Sequence, residues 1–144
     1  VGTYSYEQIF QTMRMLHMGY PEAEQMFRRM VFNVLAMNRD DHAKNFSFML
    51  KEGGDWHLTP AYDITYAYDP NSRWHQTHAT TVNGKIEVVG KEDLLAVAKQ
   101  MNIKKPLQVI EEVTTAINRW PVLADFYGVK EERIMAIQKT YPSI

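Results

Sequence analysis

The chain has 144 residues, a length that suits a single domain around one core. It is 45% hydrophobic and 23% charged, which excludes a disordered or low-complexity chain. Sixteen Lys and Arg against seventeen Asp and Glu give a net charge of -1, so neither a basic coat for nucleic acid nor a polybasic membrane sensor is expected.

The chain contains no cysteine, which excludes zinc ribbons, redox dithiols and disulfide frameworks and permits a reducing compartment. The uncharged run between Arg29 and Arg39 is far short of the roughly 20 apolar residues of a membrane helix, and no signal-peptide pattern opens the chain. The first residue is Val1 rather than Met, and helical patterning begins within five residues, so the chain reads as a piece of a longer protein.

Ser5-x-x-Gln8 has capping-box spacing and predicts a first helix from Ser5, with Ile9, Met13 and Leu16 on one face up to Gly19. Pro21 opens a second helix, whose Met26, Phe27, Met30, Val31, Val34 and Leu35 form a buried stripe, with Arg28 and Arg29 facing elsewhere. The stripe ends at Asn38, and a dense polar loop follows. Phe46, Phe48 and Leu50 alternate with Ser47 and Met49 as a half-buried strand; Gly53-Gly54-Asp55 is a turn, and Trp56 to Thr59 return as a second strand ended by Pro60. Residues 61–80 carry no clean period. Asn83-Gly84 predicts a two-residue turn joining strands at Thr80–Val82 and Lys85–Val89. The last third predicts a short helix through Leu94 and Val97, a longer one from Pro106 to Trp120, a stop at Gly128, and a final helix carrying Ile134 and Ile137. The expected architecture is mainly α, with a small antiparallel β-hairpin element in the middle.

Chemistry concentrates at Asp40, Asn45 and Asp63. An antiparallel hairpin returns the chain to its starting point, so Asp63 should end close to Asn45 despite their separation in sequence. Two carboxylates and an amide are hard oxygen donors suited to Mg²⁺. The spacing also matches the way protein kinases place a catalytic Asp, a metal-binding Asn five residues on, and a metal-binding Asp beyond a hairpin. Such a site holds a hydroxyl in line with a phosphorus while cations absorb the developing charge.

The run Arg39-Asp40-Asp41-His42-Ala43-Lys44-Asn45-Phe46-Ser47-Phe48, followed by Leu58-Thr59-Pro60-Ala61-Tyr62-Asp63-Ile64, resembles the C-terminal domain of the HipA family. These are bacterial Ser/Thr kinases, the toxins of HipB–HipA toxin–antitoxin modules linked to persistence. The family pattern D-x-H-x-K-N-F-S, then T-P-x-Y-D, is complete here and correctly spaced. The resemblance implies a kinase-like C-terminal lobe, with Asp40 as the catalytic residue and Asn45 and Asp63 as Mg²⁺ ligands. By the same analogy His42 touches the γ-phosphate or orients the loop, and Lys44 is a weaker candidate for binding ATP. It further implies a protein substrate (aminoacyl-tRNA synthetases in the family), a HipB-like antitoxin partner and a cytoplasmic location. The seven glycines form no G-x-G-x-x-G cover for ATP, so the expectation is a lobe that transfers phosphate poorly by itself.

Plainer roles stand beside these. Asp41 reads as a loop-structuring residue. His57, His75 and His78 lack a second pair at helical spacing, so no metal site is read from them. Tyr62, Tyr66, Tyr68 and Trp74 read as loop packing, with substrate docking as the alternative. A non-catalytic module that only binds an antitoxin partner is the rival from another class. A phosphodiesterase built on Asp40, Asp41 and His42 would need further paired ligands.

Overall fold

Ser5 starts the first helix as its spacing predicts. Its side chain accepts from the Gln8 amide while Gln8 caps the Ser5 amide in return. In this computed structural model, residues 4–144 are described. A two-residue strand β1 (Tyr4–Ser5) leads into α1 (Tyr6–Met15) and α2 (Tyr20–Leu35). A single 3₁₀ turn (Ala43–Asn45) precedes β2 (Phe48–Leu50) and β3 (Trp56–Leu58). A second two-residue strand, β4 (Thr80–Thr81), is followed by α3 (Lys91–Gln100), α4 (Pro106–Ile117), α5 (Trp120–Phe126) and α6 (Glu131–Gln138).

The core is helical. Tyr6, Phe10 and Met13 of α1 meet Met26, Phe27, Met30 and Val34 of α2, and Val109, Ile110, Val113 and Ile117 of α4 pack against the same cluster. The period of about 3.6 residues that marked these stripes in the sequence is what turns them all to one side. Arg29 departs from expectation. It is buried and donates through Nη2 to the Thr59 carbonyl, whereas Arg28 reaches Glu112 at 2.7 Å. An arginine within an apolar stripe can bury its stem while its fork finds a carbonyl.

The predicted hairpin forms with Phe48 opposite Leu58, Met49 opposite His57 and Leu50 opposite Trp56. Its ladder begins at Phe48 rather than Phe46, but the pairing continues below it. The Thr59 amide and hydroxyl both donate to the Ser47 carbonyl, and the two hydroxyls lie 2.9 Å apart. Glu22 of α2 holds the hairpin from the side, with Oε1 accepting from the Leu58 amide and lying 3.0 Å from His57 Nδ1.

Two other expectations are corrected. The second hairpin is reduced to a turn, in which Val82 and Lys85 form one bridge around Asn83 and Gly84, both at positive φ. Thr80–Thr81 instead pairs in parallel with Tyr4–Ser5, so the β content is not only antiparallel. The helix expected to run from Pro106 to Trp120 ends at Ile117, and α5 begins at Trp120 with Pro121 in its first turn. Proline lacks an amide hydrogen and clashes with the preceding turn, so it favours a new start there. No described helix is long and apolar enough to cross a membrane.

Candidate functional site

The site begins where α2 stops. Met37 takes a left-handed conformation (φ 55°), and the Asn38 amide donates back to the Asn33 carbonyl at 2.9 Å, closing the helix in a Schellman turn. The next residues are held from two sides. Ala67 exchanges backbone hydrogen bonds with Met37 and Arg39, and Arg39 donates to the Ile86 and Glu87 carbonyls at 2.9 and 3.1 Å. Burial lowers the Arg39 pKa from its ordinary value, an effect partly offset by the nearby Asp41 charge.

Asp41 then points inward, opposite to its neighbour Asp40. It is 1% exposed. One carboxylate oxygen accepts from the Ala79 amide at 2.9 Å and more weakly from the Thr80 amide at 3.4 Å. The other accepts from the Tyr6 hydroxyl at 2.9 Å and lies 3.0 Å from His78 Nδ1. The chain continues inward: Asn33 donates to the Tyr6 oxygen, and Asn38 donates to the Asn33 side-chain oxygen. Burial and the Asp41 charge together push the Tyr6 pKa well up, so its hydroxyl remains a donor. This network ties α1, α2 and the β4 segment to the loop, which makes Asp41 the structural residue that the sequence suggested.

Asp40 faces outward and meets the predicted partners. Asn45 donates through Nδ2 to the Asp40 carbonyl at 2.9 Å and to Asp63 Oδ2 at 3.0 Å. With both acceptors on that side, the amide orientation is determined by its partners, and the Asn45 side-chain oxygen is left for another ligand. Asp63 sits at φ 53°, a conformation that Asp tolerates better than most residues. Tyr62, beside it, donates to the Lys44 carbonyl at 2.8 Å and closes the return of the hairpin onto the 3₁₀ turn. Asp40, His42 and Asp63 each offer a ligand atom, and these atoms all lie within 4.8 Å of one another. Two carboxylates and a spare amide oxygen are a donor set that suits a hard divalent cation such as Mg²⁺, which usually keeps waters and phosphate oxygens in its shell.

His42 lies with Nε2 3.8 Å from Asp40 Oδ1, and its Nδ1 is shielded from solvent without a partner among the described residues. A cleft of about 360 Å³ opens beside it, lined by Tyr4, Asp40, His42, Ala43, Lys44, Trp74 and Ala79.

Residues 2–120 match the family model of the HipA-like C-terminal domain. The chain belongs to this family. No curated protein matches the chain. The HipA-like match spans both helices before the site, the site itself, and α3 and α4, so the motif does not stand as an isolated resemblance.

The structure gathers Asp40, His42, Asn45 and Asp63 and brings Lys44 to the cleft wall. The three remaining histidines of the middle segment separate: His57 is on Glu22, His78 is on Asp41, and His75 brings Nε2 to 4.0 Å from Asp40 Oδ1. Tyr6, Asn33, Asn38 and His78 were missed as supports of the site. One signal was present, since Asn33 interrupts an otherwise apolar stripe next to Val34 and Val31. A polar residue on a buried face requires a partner. His75 carried no such signal.

Proposed function

We propose that this chain is the catalytic C-terminal lobe of a Mg²⁺-dependent protein serine/threonine kinase with a kinase-like C-lobe fold, working in a HipA-type toxin–antitoxin context. The observation that carries the reading is the meeting of Asp63 with Asn45 across 18 positions, directly beside the outward-facing Asp40. Membership of the HipA-like family supports the same chemistry.

In this reading Asn45 and Asp63 would hold Mg²⁺, which would supply positive charge to offset that of the ATP phosphates. Asp40 orients the acceptor hydroxyl and takes its proton. The acceptor oxygen bonds to the γ-phosphorus as the bond to the β,γ-bridging oxygen breaks, leaving ADP and a phosphorylated Ser or Thr. His42, close to both carboxylates, donates to the transferring phosphoryl group. Lys44 supplies a second positive charge at the rim. Asp41 keeps Asp40 pointed outward by anchoring the adjacent backbone from within. The substrate is a protein, the partner a HipB-like antitoxin, and the compartment the cytoplasm.

The test is phosphotransfer from labelled ATP by the full-length protein that carries this chain, with Mg²⁺. Asp40→Ala should lower the rate by roughly 10²–10⁴, as expected for loss of a positioned base. Asp63→Ala and Asn45→Ala should raise the Mg²⁺ requirement and reduce turnover, and this chain alone should transfer little phosphate. Full activity in Asp63→Ala would overturn the metal assignment. No transfer by the folded wild type, with antitoxin binding intact, would favour a non-catalytic interaction module.

A further inference from the structure

Resting on the kinase reading, we propose that the cleft beside Asp40 is the subsite for the acceptor protein, and that Trp74 makes it selective for an apolar side chain next to the phosphorylated Ser or Thr.

The argument starts from which residues form its wall. Asp40, His42, Ala43 and Lys44 line it, while Asn45 and Asp63 are not among its lining residues. Asp40 and His42 line the cleft, and their ligand atoms lie within 4.8 Å of one on Asp63, so the cleft opens beside the metal-binding pair. A hydroxyl that gives its proton to Asp40 while attacking a phosphorus held at the metal reaches both through the cleft. The cleft thus continues directly from the reacting carboxylate.

Its character fits a peptide side chain. The wall is mostly apolar, through Tyr4, Ala43, Trp74 and Ala79, and Lys44 is its one cationic side chain among the described residues. Trp74 is 62% exposed, and Tyr4 is 56% exposed. Large aromatic side chains left in water beside a reactive carboxylate have area to bury when a ligand arrives. Arg73 lies over the Trp74 ring at 5.0 Å from its centroid, which fixes one face of the indole. A volume of about 360 Å³ stands at the low end for ligand sites, suited to one side chain and the backbone beside it.

The competing occupant is the adenine of ATP, stacked on Trp74. Geometry disfavours it. The base lies a ribose and two phosphates from the reacting phosphorus, whereas this cleft opens at Asp40 itself. A polyanionic tail would also find only Lys44 and His42 there, beside the Asp40 carboxylate. An extended, neutral acceptor segment meets neither difficulty.

The experiment uses the full-length protein and two peptide sets. Each peptide carries one Ser, flanked on either side by Phe or Leu in the first set and by Gly in the second. Wild type should favour the apolar set in kcat/KM by about tenfold or more, the scale on which apolar pockets discriminate. Trp74→Ala should bring that ratio close to one, chiefly through KM for the apolar peptides, and Trp74→Phe should restore most of it. Because Trp74 is largely exposed, its replacement should leave folding intact, and circular dichroism checks this. Three results would overturn the proposal: no apolar preference in wild type, an unchanged ratio in Trp74→Ala, or a rise in KM for ATP rather than for peptide. Failure of the kinase reading looks different, since the wild type would then transfer phosphate to neither set and the proposal would fall with it.

Discussion

Replacing Asp41 by Ala tests the claim that an inward carboxylate supports an outward one. The substitution removes the acceptor for four donors at once: the Tyr6 hydroxyl, His78 Nδ1 and the Ala79 and Thr80 amides. Each buried donor left without a partner costs about 1–3 kcal/mol, although the 3.4 Å contact to Thr80 contributes at the low end. The losses are not additive within one network, so the expected total is about 3–5 kcal/mol, the range for breaking a buried polar pair. That is a large share of the roughly 5–15 kcal/mol that holds a domain together. With a urea slope of about 2 kcal/mol per molar, the unfolding midpoint should fall by about 2 M.

Two companion variants separate charge and shape from mere loss of contact. Asp41→Asn keeps an oxygen for the Ala79 and Thr80 amides but turns an NH₂ toward Tyr6, so it should cost less, about 1–2 kcal/mol. Tyr6→Phe removes one donor and the acceptor of Asn33, and should also cost about 1–2 kcal/mol. The double variant Tyr6→Phe, Asp41→Ala should then be less destabilised than the sum, because both changes remove the same hydrogen bond. Urea unfolding followed by circular dichroism measures all four. If Asp41→Ala costs under about 1 kcal/mol, or if the two sites prove additive, the network does not hold the loop in the way described.

Two further outcomes follow from single sites. Burial opposes ionisation of Asp93, but donors from Asn83, the Gly90 amide and Lys85 outweigh it and hold the carboxyl below its ordinary value of 3.8. A lowered pKa means the contribution is full above pH 3.8 and is lost as pH falls through the lower folded value; Asp93→Asn should therefore flatten the acid side of a stability–pH curve measured by urea midpoints, and an unchanged slope would refute this. Gly84 sits at φ 76° with no atom crowding the position of a side chain. Gly84→Ala should thus cost about 1–2 kcal/mol through backbone conformation alone, read from the same unfolding curves, and a neutral result would show that the turn relaxes.

Helix ends show where local information runs out. α1, α2, α3 and α5 close with the same backward hydrogen bond, from Met18 to Met13, Asn38 to Asn33, Ile103 to Ala98 and Val129 to Ala124. The left-handed residue in each is His17, Met37, Asn102 and Gly128. Of these, Gly128 is the strong stop signal in the sequence and Asn102 a weaker one. At Met37 a tertiary contact supports the conformation, because Ala67 bonds the Met37 carbonyl and the Arg39 amide across the turn, while the Asn33 side chain holds Asn38. The parallel pairing of Tyr4–Ser5 with Thr80–Thr81 was invisible for a related reason. Two-residue strands are too short to show a period, and their partners are far apart in the chain.

The sequence by itself determined the helical stripes, the first helix cap, the hairpin and the meeting of Asn45 with Asp63. Each depends on spacing within a few turns of helix or across one tight turn, where sterics and alternating side chains leave few choices. Only the tertiary structure decided which of two adjacent aspartates faces solvent, that Arg29 is buried on Thr59, and that Trp74 stands at the cleft beside Asp40. Those outcomes require partners 30 to 39 positions away, as for Arg29 with Thr59 and Asp41 with Thr80. Contacts of that length are fixed by packing the core and satisfying every buried donor, and no local pattern encodes them.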